Sequence, residues 1–397
     1  MQLVVTKFGG SSLANGEGRR RALDIIRDHR QHQKNVLVVV SAMGRKGEPY
    51  ATDTLISLLE ETNASFSRRE QDLLLSCGEI ISAVIMAEAL RSNGIEARSY
   101  TGGQAGLITD NNQGQTQIKR VYPVRLICDL EAGIVPVVAG FQGITWEGEV
   151  TTLGRGGSDT TATALGIALE AEEVEIYTDV RGIMTADPKK VPRARLLKEI
   201  SFNDACEMSY QGARVIHSRA VELAKNYNIP IRVKNTFTGE SGSVICDGSS
   251  SRASDQPVTG LASRSEVIFV QLRAEKGCQR QDNIFTQLAE AGISLDFINL
   301  RQEGISFLID RDKLEQAERV LREQEYSYQI DSSLVKVSII GGGMTGLPGV
   351  MARIVNALSD EGIEIYQITD SHTTISCLVH KEEEHRALNV LHNAFNL

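Results

Sequence analysis

Residues 36–40 read Val-Leu-Val-Val-Val, an apolar run without a polar face, and this stretch limits the fold more than any other. A strand with one wet face alternates apolar and polar residues, whereas a run apolar throughout has to be covered on both sides. Other short runs that read as strands fall at Leu3 to Thr6, Ala97 to Tyr100, Ile134 to Ala139, Val174 to Thr178 and Pro230 to Val233. Helical patterns lie between most of them, at Arg19 to Gln31, Arg68 to Asn93 and Asp204 to Tyr227. Apolar strands joined by helical crossovers predict an α/β fold, a three-layer αβα arrangement around a mostly parallel sheet. In such sheets ligands collect beyond the carboxyl ends of the strands. Lys7, Ser41, Gly140 and Thr178 stand at or just after strand ends, where that rule expects a site.

Two glycine-rich loops carry the chemistry. The first strand runs into Lys7, Phe8, Gly9, Gly10, Ser11 and Ser12. A lysine ahead of its glycines is neither the Walker order nor the spaced-glycine dinucleotide fingerprint. The second loop, Leu153 to Thr161, holds Gly154, Arg155, Gly156, Gly157, Ser158, Asp159 and two threonines. Glycines let backbone amides approach a phosphate, and Ser158 to Thr161 are expected to cap a helix over Ala162 to Ala171. Arg155 offers a planar fork to a carboxylate or phosphate, and Asp159 is the acid placed beside a metal or a transferring group. An ordinary glycine turn with a helix cap fits the second loop equally well when it is taken alone.

The chain has 397 residues and a net charge of −9, and no basic block interleaves with aromatics, so nucleic acid is not an expected partner. Six scattered cysteines without metal-ligand spacing suit buried thiols in a reducing compartment, and no protein-held metal is expected. The apolar runs are too short for a bilayer, which points away from a membrane and to the cytoplasm.

Residues 247–257 are small and polar, and read as a linker. Beyond it Val267, Ile284, Leu288, Gly292-Ile293, Ile305-Ser306, Leu308 and Leu321 recur as Val337, Ile354, Leu358, Gly362-Ile363, Ile375-Ser376, Leu378 and Leu391, an offset of 70. Each copy reads strand, helix, strand, strand, helix and needs one further β element, which Val258 to Ser263 could supply for one of them.

The order strand, Lys, Gly-Gly, Ser-Ser, helix, together with the loop at 153–161, resembles the aspartokinases of the amino-acid kinase family over essentially the whole chain. Ser41-Ala42-Met43-Gly44, Thr52-Asp53, Gly78-Glu79, Tyr177-Thr178-Asp179-Val180, Ala186-Asp187-Pro188 and Gly212 to His217 fit the same family in order. The resemblance implies a catalytic domain over 1–246, then two tandem ACT domains of βαββαβ type over 258–334 and 335–397, with interleaving allowed. It implies transfer of a phosphoryl group from ATP, carried with Mg2+, to the side-chain carboxylate of L-aspartate, giving 4-phospho-L-aspartate. Lys7 and Asp159 become the catalytic pair. Ser41, Thr52, Glu79, Arg155 and Ser158 would hold the amino acid, Glu79 receiving its ammonium group. Lys7, Phe8, Gly9, Gly10, Thr178, Asp179, Gly182, Met184, Asp187, Pro188, Lys189 and Arg214 would hold the nucleotide. Met184 and Arg214 depart from the tyrosine and lysine that many relatives carry.

The same resemblance makes Asp296 the receptor for an effector's ammonium group, and expects a homodimer through the ACT domains or a larger homo-oligomer. The surroundings of Leu300 and of Ser371-His372 differ from relatives tuned to lysine or threonine, and Gly44 to Asp53 looks most like short isozymes inhibited by diaminopimelate. Diaminopimelate, lysine and threonine all stay open as effectors. Competing readings are an amino-acid kinase with another acceptor and a silent amino-acid sensor; the retained Lys7, Arg155 and Asp159 argue against the second.

Overall fold

The computed structural model describes residues 2–62, 65–247, 257–273, 283–301, 304–323 and 326–397. Most of the proposed linker, and Cys278, therefore lie outside the described residues. Contacts divide the chain into two units: 1–184, 196–209 and 214–253 form the first, and 185–195, 210–213 and 254–397 the second.

The first unit is built on an eight-stranded sheet. In spatial order its strands are Glu199–Ile200, Ser243–Ile245, Ile231–Asn235, Glu173–Thr178, Leu3–Phe8, Asn35–Val40, Val135–Ala139 and Ala97–Tyr100. All six runs singled out above are in it, and they pair in parallel. Leu3–Phe8 lies between Asn35–Val40 and Glu173–Thr178, Lys7 standing opposite Val39 and Ile176. Leu37, Val38, Val39 and Val40 are fully buried, so both faces of that strand are covered. A second sheet of Ile118–Val121, Leu107–Thr109, Gln142–Ile144 and Val150–Thr152 was not anticipated. Its strands are three or four residues long, too short to leave a periodic signal.

Helices depart from expectation at two places. The pattern over Asp204 to Tyr227 is two helices, Phe202–Tyr210 and Ser218–Tyr227, and between them Gly212 has φ +114°. A Cβ on Gly212 would lie 2.3 Å from the Ser263 carbonyl oxygen, so the close approach needs glycine. The second departure is at the glycine loop: its helix is Gly157–Ala168, beginning earlier than Ala162. Arg68–Arg91, a 24-residue helix, is long and apolar enough by composition to cross a membrane, but half of its apolar window is buried inside the protein and Glu79 sits in its middle.

The second unit holds two four-stranded antiparallel sheets of one design. One runs Asp296–Arg301, Gly304–Asp310, Val267–Arg273, Tyr328–Asp331; the other runs Gln367–Asp370, Thr374–His380, Leu334–Ile340, Gly260–Arg264. The repeat is therefore structural, with one refinement. Val267 pairs with Asp310 and Leu334 with His380, so the counterpart of Val267 is Leu334 rather than Val337, and the offset of 70 holds only after the first strand. Gly260–Arg264 pairs with Leu334–Ile340, so the first copy is inserted into the second. Residues 185–195 also pack here: Ala186 and Val191 join the core of the second copy, the Leu261 amide donates to the Thr185 carbonyl (2.7 Å), and the Lys190 ammonium meets Glu384 at 2.7 Å.

Truncating Leu37 to alanine should cost about 2–5 kcal/mol in urea-unfolding free energy, because it opens a cavity in a strand closed on both faces. Leu58→Ala, on a side chain 50% exposed, should shift it by less than about 0.5 kcal/mol.

Candidate active site

Lys7 is next to last in the strand Leu3–Phe8. Its ammonium lies 2.7 Å from Asp159 Oδ1, with side chains only 12% and 11% exposed. That oxygen accepts no aligned hydrogen bond, so the contact is an ion pair held by charge. Asp159 occupies the first turn of Gly157–Ala168, the end of a helix that favours negative charge.

The capping expectation fails in a specific way. Gly156, in the left-handed region at φ +69°, is the residue before the helix, and no side chain caps the turn. Thr160 and Thr161 are already inside the helix, their hydroxyls bonded to the Gly156 carbonyl (3.2 Å) and the Phe141 amide (3.1 Å). The helix end keeps its outward amides without a side-chain oxygen over them, which leaves them to an anion. A Cβ on Gly156 would fall 2.1 Å from the His217 side chain, so His217 supports the loop from beneath. Burial holds the His217 imidazole below its ordinary value, against the opposing pull of Asp159.

The lysine loop meets the segment after the second strand. Gly44 donates to the Gly10 carbonyl at 3.1 Å and Ser41 to the Phe8 carbonyl at 3.1 Å. A Cβ on Gly10 would lie 2.5 Å from the Ala42 carbonyl oxygen. Glu79 comes into the same region from the helix Arg68–Arg91. Its Oε1 accepts the Ala42 amide at 3.0 Å, while its Oε2 is buried without a hydrogen-bond partner. Burial pushes the Glu79 carboxyl up to about 8, although the Ala42 amide and the Lys7 ammonium draw it down. A buried acid with one oxygen unpaired is arranged to receive a cation. Ser158 is 8% exposed, and its hydroxyl would lie 2.9 Å from a Cβ on Gly140, so that glycine too is fixed by packing. Arg155 is exposed on the loop, and Thr52 opens the helix Thr52–Thr62.

Of the proposed nucleotide residues, Phe8 is fully buried and stacks on Tyr177 with ring centroids 4.9 Å apart, so only its backbone could face a ligand. Thr178 ends the neighbouring strand and Asp179 follows it, and Asn235 donates to the Asp179 carbonyl at 2.9 Å. Gly182 has φ +144° and lies against Ser243, Met184 bridges to Leu196, and Arg214 is exposed. Asp187, Pro188 and Lys189 are exposed and belong to the second unit, where Asp187 Oδ1 accepts the Lys189 amide at 2.9 Å. Asp296, also in the second unit, is already engaged, by Lys336 at 2.7 Å and Arg264 at 3.2 Å. Sequence reasoning missed the Arg45 guanidinium, which pairs with Asp179, and the Ser12–Thr236 hydroxyl bond of 2.7 Å. Arg45 stood in the block Gly44 to Asp53, where its type alone gave no partner. Among the described residues no group of three or more His, Cys, Asp or Glu side chains is arranged to hold a metal. Asp159 is the carboxylate at hand, so a divalent ion fits here only as one carried on phosphates.

The amino acid kinase family model matches residues 2–235, and an ACT domain model matches residues 329–393. The chain is 43% identical to aspartokinase 1 of Bacillus subtilis over the full length of both, and 40% identical to the aspartokinase of Mycolicibacterium smegmatis, covering 97% of it. It also superposes on Escherichia coli aspartokinase III in complex with aspartate and ADP, with a TM-score of 0.83, 26% identity and full coverage of both chains. The same enzyme in complex with lysine and aspartate gives a TM-score of 0.77 at 26% identity. With its family model over most of the chain and full-length relatives at this identity, the chain belongs to the amino acid kinase family, among the aspartokinases, phosphotransferases that act on the carboxyl group of aspartate.

Proposed function

We propose that Lys7, Asp159 and Glu79 are the working centre of this aspartokinase, and that an amino acid bound by its ACT copies regulates it. The observation that carries the reading is the buried Lys7–Asp159 pair at the end of a central parallel strand, with the unpaired oxygen of Glu79 nearby. The aspartate side-chain carboxylate attacks the γ-phosphorus of ATP, the bond to the β-phosphate oxygen breaks, and ADP leaves with 4-phospho-L-aspartate as the other product. The acceptor is ionised at neutral pH and needs no base, so the work is positioning and neutralising two anions. Lys7 bridges the phosphates as charge shifts toward ADP, while Asp159 orients Lys7. Mg2+ bound to the phosphates supplies further neutralisation. Glu79 takes the α-ammonium group, Arg155 and Ser158 the α-carboxylate, and Ser41 and Thr52 close the amino-acid side. Binding of aspartate and ADP by Escherichia coli aspartokinase III supports this choice of ligands, and its complex with lysine supports an amino-acid effector. Lysine, threonine and diaminopimelate are the candidates, the enzyme stands at the entry to the biosynthesis of lysine, threonine and methionine, and a cytoplasmic homodimer through the ACT domains is the expected assembly.

Lys7→Ala and Asp159→Ala should each lower kcat by about 100-fold or more. Steady-state rates with melting temperatures test this, and near-wild-type turnover in either variant removes that residue from the mechanism.

Glu79 gives a pH dependence of definite sign. The carboxyl must lose its proton to receive an ammonium group, so KM for aspartate should fall as pH rises toward about 8. The folded state holds this proton above pH 4.5, where the unfolded chain releases it, so its contribution to stability is complete below 4.5 and is lost as pH rises through about 8. Glu79→Gln should therefore raise KM for aspartate far more than KM for ATP, while melting higher relative to wild type at pH 9 than at pH 6. A selective rise in KM for ATP contradicts the assignment.

A further inference from the structure

The sheet order puts Leu3–Phe8 between Glu173–Thr178 and Asn35–Val40, so the turn Gly9–Gly10 leaves the sheet with a chain segment on either side of it. Both neighbours touch it. The Gly9 amide donates to the Tyr177 carbonyl at 3.1 Å, and the Gly44 amide to the Gly10 carbonyl at 3.1 Å. The Arg45 guanidinium, one residue beyond Gly44, meets Asp179, two residues beyond Tyr177, at 2.5 Å. Adjacent strands lie about 4.8 Å apart, so this contact reaches over roughly 10 Å, from one flank of the glycine turn to the other. A Cβ on Gly9 would stand 3.8 Å from the Lys7 ammonium, which places that cation at the same turn.

The backbone under Arg45 is anchored. Glu48 turns back to accept the Arg45 amide, the Glu48 amide donates to the Arg45 carbonyl at 2.9 Å, and the Gly47 amide donates to the Thr54 hydroxyl at 3.0 Å, tying the segment to the helix Thr52–Thr62. Gly44, at φ +92°, has no room for a Cβ, which would lie 2.6 Å from the Glu48 carboxylate. Above this anchored segment the side chains of Arg45 and Asp179 are 70% and 44% exposed. A pair so open holds loosely, because water and salt screen it and ordering two side chains offsets the attraction. A guanidinium carries five N–H donors in a planar fork, and among the described residues only Nη2 of Arg45 is engaged, by Asp179. Donors remain for a second anion.

We propose that Arg45 is a phosphate-binding residue of the active site, a second cation that residues 44–48 present to the nucleotide's phosphate chain over Gly9–Gly10. The inference rests on the phosphoryl-transfer reading and adds a residue to its nucleotide side. The charge balance calls for one. The Lys7 ammonium is shared with Asp159, and Arg155 is committed to the amino acid's carboxylate, so without Arg45 the phosphates meet little protein cation. The fork of a guanidinium pairs with two phosphate oxygens at once. A polyphosphate carries more charge than one carboxylate, so the guanidinium gains by turning to it, and the exposed pair costs little to open. Asp179 is then a positioning residue that keeps Arg45 aimed across the turn. As the bond from the γ-phosphorus to the β-phosphate oxygen breaks, negative charge gathers on the leaving diphosphate, and a cation touching those oxygens lowers the barrier.

The test uses the full-length enzyme with ATP and L-aspartate, with Lys7→Ala as the reference in the same assay. Arg45→Ala should lower kcat/KM for ATP about 30-fold or more and raise the ADP dissociation constant, read by calorimetry, about 10-fold, while KM for aspartate stays within about 2-fold. The melting temperature should move by less than about 2 °C, because the pair is exposed. Arg45→Lys, which keeps the charge, should recover about 5-fold or more of the loss. A double-mutant cycle separates contact with phosphate from a mere tie to Asp179. If Arg45 only held Asp179, its removal would cost nothing once Asp179→Asn had broken the pair; here Arg45→Ala should still cost about 10-fold or more in the Asp179→Asn background. A loss that vanishes in that background, a parallel rise in KM for aspartate, or an unchanged Arg45→Ala overturns the proposal. Should Arg45→Ala be unchanged while Lys7→Ala loses turnover, the phosphoryl-transfer reading stands without Arg45; near-wild-type turnover in both removes that reading as well.

Discussion

Lys7, Asp159 and Glu79 bring an ammonium group and two carboxyl groups, that of Glu79 holding its proton up to about pH 8, into a region nearly closed to water, with side chains or residues 12%, 11% and 2% exposed. A set like this is tolerable only when backbone dipoles and close packing fix it in place. The first unit supplies both. The Ala42 amide holds one oxygen of Glu79, and the start of Gly157–Ala168 faces Asp159. Gly10, Gly140 and Gly156 each leave out a Cβ that would collide with Ala42, Ser158 or His217. The glycines act here as spacing, letting three chain segments approach one pair of charges. Central position in the parallel sheet does the rest, since Leu3–Phe8 has a hydrogen-bonded neighbour on each side and cannot shift its register without moving Lys7 to the other face.

The second unit meets a different demand. Small sheets expose edges and one face, and the two copies satisfy each other through Phe269, Phe297, Leu308, Leu334 and Leu378, which form a common buried cluster. The polar pairs around Asp296 lie in the same interface, so a packing surface and a charge cluster share one bulged strand. Residues 185–195 add to this unit rather than to the sheet they follow, pinned by Glu384, by the Thr185–His392 hydrogen bond of 2.9 Å and by the Asn389 amide on the Lys190 carbonyl at 2.8 Å.

Much of this was legible because it is written in local pattern. The six short runs became the parallel strands, since β-branched and apolar stretches separated by helical patterns have few other places to go. Lys7, Asp159 and Glu79 converged because two of them sit in glycine loops and the third in the largely apolar central stretch of a long helix. The four-stranded sheet containing Leu107–Thr109 was not legible, for three residues carry no period. Nor was the break at Gly212 or the shift of the second copy's first strand to Leu334. Both depend on a neighbour distant in sequence: the Ser263 carbonyl in one case, and the pairing with Thr374–His380 in the other. Arg45 and Asp179 were each in view, but an ion pair across 134 residues leaves no trace in either segment. The engagement of Asp296 by Lys336 was hidden for the same reason.

The insertion of one ACT copy within the other also sets an order of events. Gly260–Arg264 is made early, yet its partner Leu334–Ile340 emerges only after the whole first copy. Closing that long loop costs entropy that is lowered once the intervening segment is compact. The strands of the first copy, from Val267 to Asp331, pair among themselves, and a compact first copy brings the two ends of the second together. In topology, the first copy thus closes the loop across which the two parts of the second must meet. A chain cut after residue 331 keeps the first sheet whole and strands Gly260–Arg264 as an unpaired edge.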